Sequence, residues 1–158
     1  MINFSLNARI YRSLKQVFSF VTTPENDFQW QYGTFASARI PQRIDDTGTF
    51  FRSIGHLVGR RNLSTFEVTE FEPNKKYGFK SLSGLLDLQT TYTLERVVGG
   101  TKINISIRAN VLNSGPVEES ILEKTMKEQL KENLGRLKAL LESRHIMLHS
   151  EPVYLPGA

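Results

Sequence analysis

The sequence has no cysteine among its 158 residues. This excludes disulfides, thiol chemistry and zinc sites with cysteine ligands. It also lacks an apolar run approaching the ~20 residues that cross a bilayer. The first ten residues alternate between apolar and polar side chains, which differs from the continuous apolar core of a secretory signal. We therefore expect a cytoplasmic protein with no membrane span.

The sequence also lacks the motifs of common catalytic and cofactor-binding sites. Gly48, Gly55 and Gly59 are scattered along strand patterns, whereas a phosphate-binding loop needs them between a strand and a helix. There is no nucleophile elbow and no paired-carboxylate constellation. The net charge of +4 is mild, and no basic face with interleaved aromatic residues indicates nucleic-acid binding. We predict no catalytic residue, no metal site, no cofactor and no nucleic-acid partner.

Alternation of apolar and polar residues predicts seven strands. The clearest patterns lie at residues 2–10 and in the last strand, where isoleucines 103, 105 and 107 share one face. Further strands are predicted at residues 34–42, 48–58, 62–72, 77–82 and 86–96, separated by turn residues such as Gly99 and Gly100. Short turns between strands favour an antiparallel sheet.

Two kinds of helix are predicted. Two short helices follow the first strand; Ser13 caps the first, and Thr23-Pro24 separates it from the second. One long helix is predicted from Pro116 to His145. Its apolar stripe comprises Ile121, Leu122, Met126, Leu130, Leu134, Leu137 and Leu141. Gly135 interrupts good helix formers, either to allow a close approach or bend or as a tolerated imperfection. The fold class is α+β.

Several stretches carry a resemblance to a known family. They are SLKQVFSFVTTPENDFQW (13–30), GTFFRSIGHLVGRR (48–61), STFEVTEFEPNKKYGFKS (64–81), TYTLERVVGGTKINISI (91–107) and NLGRLKALLE (133–142). Together with the order of the elements, they resemble the START-like (SRPBCC) helix-grip superfamily, and in particular its bacterial polyketide cyclase/dehydrase and lipid-transport branch. The resemblance implies a curved seven-stranded antiparallel sheet wrapped around the long C-terminal helix. It assigns residues 1–145 to one domain and leaves 146–158 as a C-terminal tail.

A helix-grip fold can enclose an apolar cavity between sheet and helix. The side chains that we expect to line it and contact a ligand are Trp30, Phe50, Phe66, Phe79, Tyr92, Met126 and Leu130. Each of these can instead simply fill the core, as most large apolar side chains do. Access to the cavity would require movement of the opening helices or of the loops around Gly33 and Gly84.

The favoured function is the binding of a small hydrophobic molecule, lipid-like or polyketide-like, without catalysis. One alternative is a cofactor-free enzyme of the cyclase/dehydrase kind, assisted by Tyr92, His56 or one of four arginines (39, 52, 60 and 61). Another is a protein-interaction module with a filled core. A homodimer also remains open. The ligand and the pathway do not follow from the sequence.

Overall fold

The computed structural model describes residues 1–41, 48–57, 60–111 and 116–143. The predicted C-terminal tail, residues 146–158, lies outside the described residues. The strands are β1 (Ile2–Ile10), β2 (Thr34–Arg39), β3 (Phe50–Leu57), β4 (Arg60–Glu72), β5 (Lys76–Ser81), β6 (Leu86–Val97) and β7 (Gly100–Val111). The helices are α1 (Leu14–Val21), α2 (Asp27–Trp30) and α3 (Pro116–Glu142), with a 3-10 turn (Pro24–Asn26) before α2.

The seven strands form one antiparallel sheet in the order β1-β7-β6-β5-β4-β3-β2. Consecutive strands from β2 to β7 are neighbours. β1 is separated from β2 by the short helices and instead pairs with β7, with Ile2 opposite Ala109. Register shifts occur in β2 and β4, and such irregularities bend and twist strands. The sheet is curved, and the predicted helix-grip architecture is confirmed.

The opening helices form where the sequence predicts them. The Ser13 hydroxyl accepts a hydrogen bond from the backbone amide of Gln16, and the Gln16 side chain accepts one from the Ser13 amide, which makes a capping box. Phe18 and Val21 of α1 are buried in the core. Pro24 then begins the 3-10 turn, where its missing N–H costs no hydrogen bond.

The long helix α3 covers the sheet and packs against β1 and α2. Its buried stripe comprises Met126, Leu130, Leu134, Leu137 and Leu141. Ile121, which the sequence pattern placed on this stripe, is 63% exposed. The guanidinium group of Arg12 donates hydrogen bonds to the carbonyl oxygens of Leu141 and Ser143 at the end of the helix. These bonds satisfy carbonyls that have no partner within the helix.

Candidate functional site

A cavity of about 190 Å³ lies between the sheet and α3. Among the side chains that line it are six of the seven predicted ligand contacts: Trp30, Phe66, Phe79, Tyr92, Met126 and Leu130. They come from α2, from β4, β5 and β6, and from α3. An empty apolar cavity of roughly 150 Å³ accommodates a benzene ring. The space between sheet and helix therefore fits a molecule of one or two rings without rearrangement.

The structure places the seventh predicted residue, Phe50, elsewhere. Phe50 lines a second cavity of about 290 Å³ together with Arg39, Phe71 and Tyr77. Its neighbour Phe51 lines both this cavity and the main one. Phe51 is paired directly with Phe66 across β3 and β4, and directly paired residues share one face of a sheet. In the main cavity, Phe51 thus has the position that the sequence analysis expected for Phe50, because a shift of one residue in a strand moves a side chain to the opposite face.

Aromatic rings form the wall of the main cavity. The rings of Phe51 and Phe66 stack with centroids 5.0 Å apart, and Phe79 meets both edge-on. The Tyr92 ring contacts Phe79 at 5.7 Å and Trp30 at 6.2 Å, also edge-on. Such edge-to-face contacts hold each ring at a defined angle. The aromatic part of the wall is thus preorganised.

Polar groups of α2 and the residue after it also reach the cavity. Asp27, Trp30 and Gln31 line it together, because residues three and four apart share one face of a helix. The Gln31 amide nitrogen lies 3.4 Å from the Tyr92 hydroxyl, to which it donates. The indole Nε1 of Trp30 is buried and has no hydrogen-bond partner in the described part of the chain.

Burial raises the pKa of both ionisable groups at this position and so favours their neutral forms. Burial, and to a lesser extent the neighbouring carboxyl group of Glu25, raises the pKa of Asp27 well above its ordinary value. Burial also raises the pKa of the Tyr92 phenol, and Asp27 and Tyr77 add to this rise. Tyr92 is therefore a hydrogen-bond donor at neutral pH and is unsuited to act as a base.

One end of the cavity opens toward the surface. Tyr32 is 59% exposed there, and its backbone amide donates to the Asn133 side chain of α3 at 2.8 Å. Gly33 has φ +83° and its carbonyl oxygen accepts from the His56 amide at 2.7 Å. The His56 side chain is exposed and packs against Phe35. His56 thus belongs to the cavity mouth.

Of the four predicted arginines, Arg39, Arg52 and Arg61 do not line the main cavity, and the side chain of Arg60 lies outside the described part of the chain. Arg39 pairs with the buried carboxyl group of Glu25: its Nε lies 3.8 Å from one oxygen, and its backbone amide donates to the other at 2.8 Å. Arg61 is exposed on β4. Among the described residues, no lysine or arginine lines the main cavity.

Within residues 1–41, 48–57, 60–111 and 116–143, histidine, aspartate and glutamate side chains do not gather in groups of three that could hold a metal ion. In the same ranges, none of the helices has the length and apolar character required to span a bilayer.

A family model described as "Polyketide cyclase / dehydrase and lipid transport" matches residues 1–142. The chain belongs to this family. The match covers every element of the described structure and confirms the family expected from the sequence. No curated protein matches the chain.

Solved structures of this family's fold superpose well on the chain. A START superfamily protein from Mycobacterium smegmatis has a TM-score of 0.72 at 16% identity, covering 87% of this chain and 98% of its own. The Zhui aromatase/cyclase from a Streptomyces species has a TM-score of 0.76 at 10% identity, covering 89% and 93%. The di-domain aromatase/cyclase BexL has a TM-score of 0.70 at 14% identity, covering 90% of this chain and 50% of its own. At such identities, the similarity shows the fold alone.

Sequence reasoning missed Asp27, Gln31 and Phe51 as cavity residues. The spacing of Asp27 and Trp30 was a partial signal, because residues three apart share one face of a helix, but it did not show that this face is buried. For Phe51 no comparable signal exists, since Phe50 and Phe51 are adjacent and equally apolar.

Proposed function

We propose that the chain binds a small hydrophobic molecule in the main cavity, between the sheet and α3. One observation carries this proposal: the space there is unfilled, although aromatic and aliphatic side chains line it. Transfer of a ligand's carbon surface from water into such a cavity is favourable by about 25 cal/mol per Å². Ligand sites of other proteins are likewise mostly apolar with a few polar groups.

The size of the cavity limits the ligand. About 190 Å³ lies below the roughly 300–1,000 Å³ of typical ligand pockets. The bound molecule is therefore a compact one with one or two rings, or a short chain. A long-chain lipid would need the mouth around Tyr32 and Gly33 to widen. We place the ligand against Trp30, Phe66, Phe79, Tyr92, Met126 and Leu130.

The two other functions that the sequence left open have less support. Little supports catalysis by Tyr92, His56 or an arginine. Tyr92 stays protonated, the His56 side chain is exposed at the cavity mouth, and Arg39 is paired with Glu25. A protein-interaction module with a filled core is disfavoured by the unfilled volume itself.

The substitution Met126→Trp tests the proposed location. Met126 lies on α3 facing the cavity and is 8% exposed. An indole at this position would therefore occupy part of the volume in which we propose that the ligand binds. We expect it to weaken the binding of 1-naphthylmethanol, a neutral two-ring probe, at least about tenfold, measured by isothermal titration calorimetry.

Ile121→Trp is the matched control for this substitution. It adds the same side chain to the same helix, but at a position 63% exposed to solvent. It should bind the probe as the wild type does. Saturable binding that survives Met126→Trp unchanged would refute this location, and absence of saturable binding by the wild type would contradict the proposed function.

Native mass spectrometry of the purified protein, followed by organic extraction, addresses the natural ligand. A reproducible stoichiometric apolar passenger that is lost from Met126→Trp but retained by Ile121→Trp would support the proposal and identify the ligand class. A passenger retained equally by both variants would contradict it.

A further inference from the structure

The main cavity contains one buried carboxyl group without a counter-charge. Asp27 begins α2, is 8% exposed and lines the cavity. Of the described residues that line this cavity, His56 alone can become cationic, and its side chain is exposed at the mouth. No described group donates a hydrogen bond to the Asp27 carboxyl oxygens. The ionised form of Asp27 thus lacks a compensating partner.

The groups around Asp27 do not supply that partner. Glu25, in the preceding 3-10 turn, adds a second acidic group, and Arg39 is engaged with Glu25. β5 and β6 contribute the phenols of Tyr77 and Tyr92. From α3, the cavity receives uncharged side chains. A carboxyl group in these surroundings favours the proton-bearing form.

Aromatic rings surround the same space. Trp30 is three residues from Asp27 on α2, and its ring meets Tyr92, which in turn meets Phe79. The faces of such rings attract ammonium groups, most strongly where water is excluded. A buried carboxylate beside aromatic faces is a chemical environment that suits an organic cation. The same environment disfavours the binding of a carboxylate ligand, because its negative charge would be buried without a positive partner.

We propose that the cavity selects an apolar molecule carrying a basic amine, with its ammonium group paired with Asp27 and packed against the rings of Trp30 and Tyr92. The inference rests on the proposed function and adds the ligand class. Binding involves no covalent step. As the ammonium group enters, the Asp27 carboxyl group loses its proton to the buffer, and the resulting carboxylate pairs with the ligand.

Three probes that share one ring system test this selection: 1-naphthylmethylamine, 1-naphthylmethanol and 1-naphthoate. Their affinities are measured by calorimetry at pH 7.5 in two buffers of different ionisation enthalpy, which counts the protons released. We expect the amine to bind at least about tenfold more tightly than the alcohol. The naphthoate should bind most weakly, and protons, up to one for each amine bound, should be released, because burial favours the protonated form of the carboxyl group in the free protein.

The variant Asp27→Asn removes the ionisable group and keeps the size of the side chain. It should abolish both the preference for the amine and the proton release, so that the amine binds no more tightly than the alcohol to this variant. Asp87→Asn makes the same chemical change on the exposed face of β6 and should behave as the wild type. Thermal unfolding of both variants checks that they are folded.

A measurement on the wild type alone tests the inference even if Asp27→Asn does not fold. Between pH 5.5 and 8, the affinity for the amine should rise as proton loss from Asp27 becomes easier, while the affinity for the alcohol stays flat.

The outcomes separate this inference from the proposed function. If the alcohol binds and Met126→Trp blocks it, but the amine shows neither tighter binding nor proton release, the amine selection is overturned and the hydrophobic cavity stands. Tightest binding by the naphthoate would overturn it in the same way. If none of the three probes binds, the proposed function itself fails.

Discussion

At the scale of single residues, the burial of Asp27 opposes its ionisation and also brings a carboxyl group to the cavity. This carboxyl group lies among aromatic rings, with Glu25 nearby and no compensating cation described in the cavity. Buried ionisable groups of this kind are uncommon outside functional sites. The residue therefore affects stability in a pH-dependent way that is independent of any ligand.

The sign of that dependence follows from the raised pKa. Consider a carboxyl group whose pKa is higher in the folded than in the unfolded chain. Its contribution to the free energy of unfolding is fully present at pH values below the unfolded pKa. That contribution is lost as the pH rises toward the folded value. The ordinary value is 3.8, so the loss begins near this pH and is substantial at neutral pH. Without a ligand, Asp27→Asn should therefore be more stable than the wild type at pH 7.5, by an amount on the order of 1 kcal/mol or more.

Urea unfolding at pH 7.5 and pH 4.5 measures this effect. The stabilisation by Asp27→Asn should shrink at the lower pH, because pH 4.5 is close to the ordinary pKa of 3.8 and the difference in proton uptake between folded and unfolded chain has less effect there. Asp87→Asn should show no such change. Equal destabilisation by Asp27→Asn at both pH values would contradict this expectation. It would mean that the Asp27 side chain makes a stabilising contact in the folded protein that does not depend on its protonation.

At the scale of the elements, α3 forms one wall of the cavity and is the longest of the described helices. Its buried face is well packed, but Gly135 lies within it, and a Cβ atom at this position would meet no atom within 4 Å. Position 135 therefore has no close contact or tight packing that would require a glycine. Gly135→Ala should stabilise the protein by about 1 kcal/mol through helix propensity alone.

Thermal and urea unfolding test the expected gain from Gly135→Ala. Binding of 1-naphthylmethanol is the second readout and should not change, because Gly135 does not line the cavity. A lower unfolding midpoint would show that position 135 needs glycine for a bend or for a contact that forms during ligand entry.

The elements also show how far the sequence predicts the structure. Regular alternation in β1 and β7 and the apolar stripe of α3 were sufficient to locate these elements and their inner faces. Ile121 was misassigned because a helix's apolar stripe can extend past the part that a sheet covers. Phe50 and Phe51 could not be distinguished, since the pairing with β4, a non-local interaction, decides which ring faces the cavity.

The same limit applies to Asp27. Its sequence neighbourhood, an acidic residue at the start of a short helix, is typical of an exposed residue that favours the helix dipole. Its burial results from packing of α2 beneath the sheet and beside α3, which local sequence does not encode. The fold was thus predictable from periodicity and family resemblance, whereas the polar part of the cavity needed the tertiary structure.

At the scale of the whole molecule, the sheet and α3 together leave a space that neither fills. Protein interiors are normally packed as densely as organic crystals, so an unfilled apolar cavity of about 190 Å³ is a cost that a ligand would offset. Any molecule that binds the folded state and not the unfolded chain raises the free energy of unfolding. The account therefore links occupancy of the cavity directly to stability.

The measurement that tests this central claim most directly is an NMR titration with 1-naphthylmethanol, observing the Met126 methyl group and the Trp30 indole. The account predicts saturable shifts at both groups, with intermolecular NOEs from the probe to the Met126 methyl group and the Tyr92 ring. Saturable binding whose NOEs fall only on residues outside the cavity, or no binding at all, would contradict it.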